Sequence, residues 1–527
     1  MGKKQQQKKK QQQQTQGQQQ QQQQQLHQVS TDQQPTTSAA KEIAGGSFKR
    51  ISAQKRNELN ELVMNLRKIT FLRKFNPNEQ WQDYVEMQAI LERIQTIESC
   101  LKFKGSGGKN RAANVEAFNK WADENDVKHD GVRIAEFPGF DLGLEATKDI
   151  IKGDPIIIVP RKLILSEELL GSRMSLLPFE PKMMSNLKLT YVLMWEKVNP
   201  ESFWKPYIDL LPEKYSTVLY YSVNDMQELK GTSALSQAIA QCKNIARQYA
   251  MMYQNFQQMK QKSVLAERFS YDLYRWGVST VMTRENIIPR LDQPEDEDST
   301  HGFDTIASLI PFWDMANHKD GTITSFFNME LCQLESSALT DFQKGEQIFI
   351  YYGDRSNADL LVHNGFVYPD NKKDSVSIKL GLSSSDELLT ERTKLLEMLE
   401  IPKNTELKVF QAPLFISPKL LAFVRIFNMN KEQLEHWIEN RATDLFHIDC
   451  ALETSLESKT WLFLQTRLSL LLRVFPTTLE EDELALQNHE KGQTKVGYLK
   501  ALILQYRILE KRILTNALDY AKQRTKA

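Results

Sequence analysis

The chain has 527 residues, with 67 Lys+Arg against 67 Asp+Glu and 41% hydrophobic residues. Zero net charge argues against a general polyanion-binding surface, so no specific nucleic-acid partner is expected. No stretch approaches the roughly 18–20 unbroken apolar residues that cross a bilayer, so no membrane partner is expected either.

A chain of this length predicts two or three domains, and a monomer is expected. Cys100, Cys242, Cys332 and Cys450 are scattered and form no C-x-x-C pair. Neither a zinc site nor a disulfide framework is therefore supported, and no metal is expected. A reducing compartment fits best: the cytoplasm, with the nucleus as a second expectation.

Residues 1–47 are a Gln-rich, Lys-interspersed tail with too little apolar surface to offset ordering entropy, and disorder is predicted there. Lys3-Lys4 and Lys8-Lys9-Lys10 fit either a nuclear address or a solvated tail. The segment has no apolar core, so it does not read as a secretory leader. Gln6 stands where a myristoylation signal has Ser or Thr.

Residues 48–104 are predicted to be N-terminal helices. Leu59, Leu62, Val63, Leu66, Ile69 and Leu72 recur at helical steps, Pro77-Asn78 break the run, and a second helix spans Trp81 to Ile97. Lys104-Gly105-Ser106-Gly107-Gly108-Lys109 reads as a flexible joint, without the order of a phosphate-binding loop.

Short strands are predicted at Val132–Ile134, Gly143–Ala146 and Pro155–Val159. A helical insert at about 165–290 holds Leu187–Trp195, Gln237–Phe256 and Tyr271–Met282. Glu285 to Thr305, with Pro289, Pro294 and the acidic run Glu295–Asp298, is predicted to be an exposed loop. Residues 306–352 return to strands. From Ser384 helical periodicity dominates, as in Leu420–Phe427 and Trp461–Leu472. The fold class is α+β, with domains at 1–47, 48–104, 105–383 and 384–527.

Two segments point to chemistry. Trp313-Asp314-Met315-Ala316-Asn317-His318 is a polar run, and an apolar strand farther on ends in Tyr351-Tyr352-Gly353. With Gly143–Ile150 and Gly153, Ser202-Phe203-Trp204-Lys205-Pro206-Tyr207 and Val281-Met282-Thr283-Arg284, they occur in the order of a known family. Over roughly residues 105–515 the chain resembles SET-domain methyltransferases of the Rubisco large-subunit methyltransferase class.

The resemblance implies a SET-domain β-fold split by a helical insert and followed by an all-helical substrate-binding domain. It also implies S-adenosyl-L-methionine as cofactor. In lysine-directed members of the class, the residue before the Asp matching Asp314 is small. An aromatic often stands two residues after the Arg matching Arg284. Here those positions hold Trp313 and Asn286. The pair is similar to the branch that methylates the tele nitrogen of a histidine in actin, and it implies actin as protein partner.

By the same resemblance, the residues expected to contact the cofactor are Arg111, Phe140, Asp141, Leu142, Arg284, Asp314, Met315, Ala316, Asn317, His318, Asn364 and Phe366. Tyr352, Asn286 and Trp313 are the expected catalytic residues, and Arg355 joins Asn286 and Trp313 as a substrate contact. An amide can hold one nitrogen of an imidazole, and an indole can pack on its face. A loop-capping Asn and a core Trp are the plainer readings of the same two residues. The alternatives in function are a lysine methyltransferase of the same fold and a non-catalytic adaptor.

Overall fold

The computed structural model describes residues 51–526 except residue 75 and residues 102–110, 177–183, 260–262 and 292–303. The tail of residues 1–47, the joint Lys104–Lys109 and the acidic run Glu295–Asp298 lie outside the described residues.

Helix α1 (Ala53–Arg67) starts at Ser52, whose side chain accepts from the Lys55 N–H, and runs on as a π-helical turn over Lys68–Leu72. Helix α2 spans Gln80–Glu98 and α3 spans Val115–Glu124. Strands β1 (Val132–Phe137), β2 (Asp141–Ala146), β3 (Pro155–Pro160) and β4 (Leu165–Ser166) follow.

The insert contributes α4 (Ser185–Val198), α5 (Lys205–Leu210), α6 (Val223–Glu228), α7 (Ala234–Gln258), α8 (Val264–Arg268) and α9 (Tyr271–Arg284). The chain then forms β5 (Asn286–Pro289), β6 (Thr305–Leu309), a 3-10 turn at Trp313–Met315 and β7 (Asn317–His318). Strands β8 (Ser325–Asn328), β9 (Gln333–Ser337) and β10 (Gln347–Ile350) complete this part.

Three small sheets share one core. Their orders are β1-β2-β10-β7, β3-β9-β8 and β4-β6-β5. All pairings are antiparallel except β7 with β10, which run parallel and set Asn317 opposite Phe349 and His318 opposite Ile350. That register delivers the Asn-His pair and the Tyr351-Tyr352 end of β10 to one corner of the sheet.

A short helix α10 (Asn357–Asp359) continues as a π-helical turn to Asn364. Beyond it lie β11 (Ser375–Gly381), α11 (Leu389–Met398), β12 (Asn404–Phe410), α12 (Pro418–Asn428), α13 (Lys431–Glu439), α14 (Thr454–Arg473), α15 (Leu479–Glu490) and α16 (Tyr498–Lys526). A second apolar core, from Val376 to Ala521, fills this region. Helix α16 bridges the two cores, placing Leu502, Ile503 and Tyr506 in the first and Ile513, Leu514 and Ala517 in the second.

Two expectations need correction. The predicted loop 285–305 begins as strand β5, with Asn286 opposite Ser308 and Ile288 buried against β6. Pro289 misleads because it occupies the strand end, where a missing N–H costs little. The C-terminal domain, expected to be all-helical, also holds β12, paired with β11 over seven residues. Leu407 and Val409 alternate inward there, a period-2 signal too short to stand out among flanking helices.

The N-terminal helices are integral to the first core: Leu59, Leu66, Tyr84 and Ile94 are buried in it. At the end of α2, buried Glu98 accepts from the Tyr249 hydroxyl at 2.5 Å and the Tyr271 N–H at 2.7 Å. Glu510 plays a similar part on α16, accepting from the Ser233 N–H at 2.7 Å.

Burial pushes both carboxyls up, Glu98 to about 8 and Glu510 to about 7. The folded chain thus keeps protons that the unfolded chain releases near 4.5. Their contribution to stability is full below that value and is lost as pH rises through the folded pKa. The Glu98→Gln chain should therefore gain stability relative to the parent as pH rises from about 5 to about 8. Urea midpoints measured across that window check the sign.

Candidate active site

The site assembles where α9 ends, the 3-10 turn passes and β10 gives out. Phe312 sets the direction of the turn. It is fully buried, with φ 71 and ψ −57, the sparsely populated γ-turn geometry. It stacks against Phe118 at 6.1 Å and His129 at 4.4 Å, so packing holds the strained backbone.

Two residues on, Asp314 is driven into the interior, its side chain 2% exposed. Two groups meet its Oδ2. The Tyr207 hydroxyl on α5 donates at 2.5 Å, and Arg284 Nη1 at the end of α9 lies 3.5 Å away. Arg284 Nη1 donates at 2.5 Å to the Asp314 main-chain oxygen instead. Asp314 Oδ1 is buried with no hydrogen-bond partner among the described residues. Burial pushes the Asp314 carboxyl up, opposed by Arg284 and Tyr207. The Asp314 charge keeps Arg284 protonated against its own burial.

Arg111 enters from the other side. Its Nε donates to the Leu210 oxygen at 2.8 Å and its Nη1 to Asp141 at 2.6 Å. Burial and the like charge of Arg284 lower its pKa, while Asp141 opposes them. Two guanidiniums near enough to repel one another form a ready receptor for a carboxylate, whose geometry they match. Tyr215, bonded to Thr280 at 2.8 Å, stands beside both guanidiniums.

A second group surrounds β7. The Asn317 amide nitrogen donates to the Leu142 oxygen at 3.1 Å, which leaves its oxygen as an acceptor. Space is tight at Gly143: a Cβ there would stand 2.5 Å from Gln347 Nε2 and 2.9 Å from Asn317 Nδ2, so those amides would have to move. Gln347 Nε2 is itself buried with no partner among the described residues. Phe140, half exposed, packs edge-on to Phe349 at 5.8 Å.

The Tyr352 hydroxyl donates to the Ala316 oxygen at 2.7 Å, and its N–H donates to His318 Nδ1 at 3.2 Å. The His318 proton therefore sits on Nε2. Burial lowers the His318 pKa and pushes the Tyr352 phenol up to about 12, so both stay neutral near pH 7. Phe366 packs at 6.1 Å from His318 and 6.3 Å from Tyr352. Arg355 donates to Asn364 Oδ1 at 2.8 Å, which joins the end of β10 to the π-helical turn.

The fold thus gathers Arg111, Asp141, Arg284, Asp314 and Met315 at one end and Leu142, Ala316, Asn317, His318, Tyr352, Arg355, Asn364 and Phe366 at the other. Asn286 opens β5 two residues after Arg284, and its side-chain nitrogen donates to the Arg284 oxygen at 3.2 Å. Trp313 has a core anchor: it is 6% exposed, and its indole N–H donates to Ser336 on β9 at 3.1 Å. Tyr207, Tyr215 and Gln347 belong to the site but were not anticipated. The only sequence signal was the run Phe203–Tyr207, which marked the family without revealing a role.

A SET-domain family model matches residues 141–353, and a Rubisco LSMT substrate-binding model matches residues 383–514. The chain is similar to an actin-histidine N-methyltransferase of Drosophila melanogaster, 44% identical over 507 residues, covering 92% of this chain and 93% of that one. It is 37% identical over 465 residues to an actin-histidine N-methyltransferase of Gallus gallus, covering 85% and 76%. Among solved structures it resembles Rubisco LSMT bound to AdoMet, with a TM-score of 0.62 at 21% identity, covering 78% of this chain and 92% of that one. The SET domain of LSMT bound to lysine and AdoHcy gives the same TM-score and identity, covering 78% and 91%.

Gly365, with φ 77, follows the π-helical turn and packs on the insert. A Cβ there would lie 2.6 Å from the Ser216 carbonyl carbon and 2.7 Å from the Thr217 nitrogen. Gly365→Ala should cost about 1–3 kcal/mol of stability, since backbone cannot give way as a side chain can. Denaturant unfolding measures the loss.

Proposed function

We propose that this chain, which belongs to the actin-histidine N-methyltransferase family of SET-domain proteins, methylates the tele nitrogen of a histidine in actin, with S-adenosyl-L-methionine as methyl donor. The observation that supports it most directly is that Arg111, Arg284 and the buried Tyr352 phenol lie close enough to act on one another's charge, with the phenol held on the Ala316 carbonyl at 2.7 Å.

The residues present suit the donor. Arg111 and Arg284 match its carboxylate. The orphaned Asp314 Oδ1 and the acceptor oxygen of Asn317 suit its ammonium, and glycine at 143 keeps the cradle open. Phe366 and the main chain around Asn364 offer a wall for its adenine. When bound, the donor supplies a methyl group on a positively charged sulfur, an electrophile with its own leaving group.

The protein is left with alignment, tautomer choice and exclusion of water. A histidine acceptor has an unperturbed pKa near ~6.5 and is largely neutral at pH 7, whereas lysine near ~10.4 must first lose a proton. We assign the Asn286 amide oxygen to the imidazole Nδ1–H. That contact selects the tautomer whose Nε2 lone pair faces the methyl channel. Trp313 narrows the pocket from a fixed core position, and Arg355 contacts the substrate peptide. The Nδ1 proton passes to water once Nε2 is alkylated. Tyr352 positions the acceptor and stays protonated throughout.

Methylation of actin followed by mass spectrometry tests the reading. Label on one histidine is the expected result, and label on lysine alone, or none, would overturn it. The rate should rise as pH passes about 6–7 and then level, whereas a lysine acceptor would keep the rate climbing past pH ~9. Tyr352→Phe should lower kcat by roughly 10–100-fold through misalignment, with donor affinity changed less than about threefold. Asn286→Ala and Trp313→Ala should each shift the histidine-to-lysine preference in a paired-peptide assay. An unchanged preference in both variants would remove these two residues from specificity.

A further inference from the structure

The Arg284–Asp314 pair is unusually open. Paired guanidinium and carboxylate ordinarily close to about 2.7–2.9 Å, often through two parallel bonds. Here Arg284 Nη1 stands 3.5 Å from Asp314 Oδ2 and gives its short bond to the main-chain oxygen. The reason is visible in the geometry. Oδ2 is taken by the Tyr207 hydroxyl at 2.5 Å, and Tyr207 cannot follow the carboxylate if it turns. Its ring is fully buried, packed against Phe118 at 6.3 Å, on a six-residue helix with Pro206 in its first turn.

We propose that Tyr207 is a positioning residue for donor binding: its hydroxyl tethers Asp314 and stops the carboxylate from closing onto Arg284, so that the guanidinium stays open to the carboxylate of the methyl donor. Released from Tyr207, Asp314 would gain by turning onto Arg284, since its Oδ1 has no partner among the described residues and a second N–H would satisfy it. An incoming carboxylate would then have to displace an internal one. The tether thus acts through Arg284 and touches neither the reacting methyl nor the acceptor.

This inference rests on the methyl-donor reading above, and the test separates the two. Calorimetric titration of the full chain with S-adenosylhomocysteine reads the carboxylate contact. Titration with methylthioadenosine, which lacks the amino-acid end, reads the rest of the pocket. Tyr207→Phe keeps the ring and its packing. It should weaken S-adenosylhomocysteine by about 10–100-fold, the span of one hydrogen bond to a charged group, and leave methylthioadenosine unchanged. At saturating donor, kcat of Tyr207→Phe should stay within about threefold of the parent.

Equal affinity of both proteins for S-adenosylhomocysteine would overturn the proposal. So would equal weakening of the two ligands, which marks a merely structural role. Binding of neither ligand to the parent chain would instead overturn the methyl-donor reading.

Discussion

One buried carboxylate governs the arrangement of this molecule. Asp314 is nearly inaccessible, and an unpaired buried charge of that kind would cost several kcal/mol. It is tolerated because two distant residues converge on it: Tyr207 on α5, whose hydroxyl holds Oδ2, and Arg284 at the end of α9, whose guanidinium lies 3.5 Å from Oδ2 and donates to the Asp314 main-chain oxygen. The same convergence fixes where α9 stops and where β5 begins. It therefore also fixes the position of Asn286.

The constraint radiates outward through packing. Phe312 accepts an unfavourable backbone conformation because Phe118 and His129 clamp its ring, and that conformation carries Asp314 inward. Phe118 also lies against Tyr207, so one aromatic cluster supports both ends of the hydrogen bond that restrains the carboxylate. On the far side, the parallel pairing of β7 with β10 brings Ala316 within reach of the Tyr352 hydroxyl. The site is thus a set of restraints on a few polar atoms, and among the described residues it holds no activated nucleophile. Such a site suits a reaction in which alignment is the protein's main task.

The long insert and the N-terminal helices take part in this framework. Glu98 ties α2 to α7 and α9 through two buried hydrogen bonds, and α9 carries Arg284 at its end. The C-terminal helix contributes to both apolar cores and links to the start of α7 through Glu510. Elements remote in sequence from the signature segments therefore hold the helix on which the site depends.

Much was legible in the chain alone. Helical spacing located α1, α2, α7 and α9 closely, because long amphipathic segments leave a strong period. The runs Trp313–His318 and Tyr351–Gly353 identified the SET class, since their residue types and order are local properties. Strands β5 and β12 were missed, being stabilised by partners that no local window contains. The roles of Tyr207, Tyr215 and Gln347 were likewise invisible. Tyr207 lies 107 residues from the carboxylate it restrains, and nothing in its neighbourhood marks it as more than a buried aromatic. By itself the sequence determined the fold family and the chemical types of the signature residues. Only the tertiary structure decided which carboxylate oxygen is held, which guanidinium is left open and where the indole N–H of Trp313 is spent. Those outcomes follow from distances between segments, which local sequence does not encode.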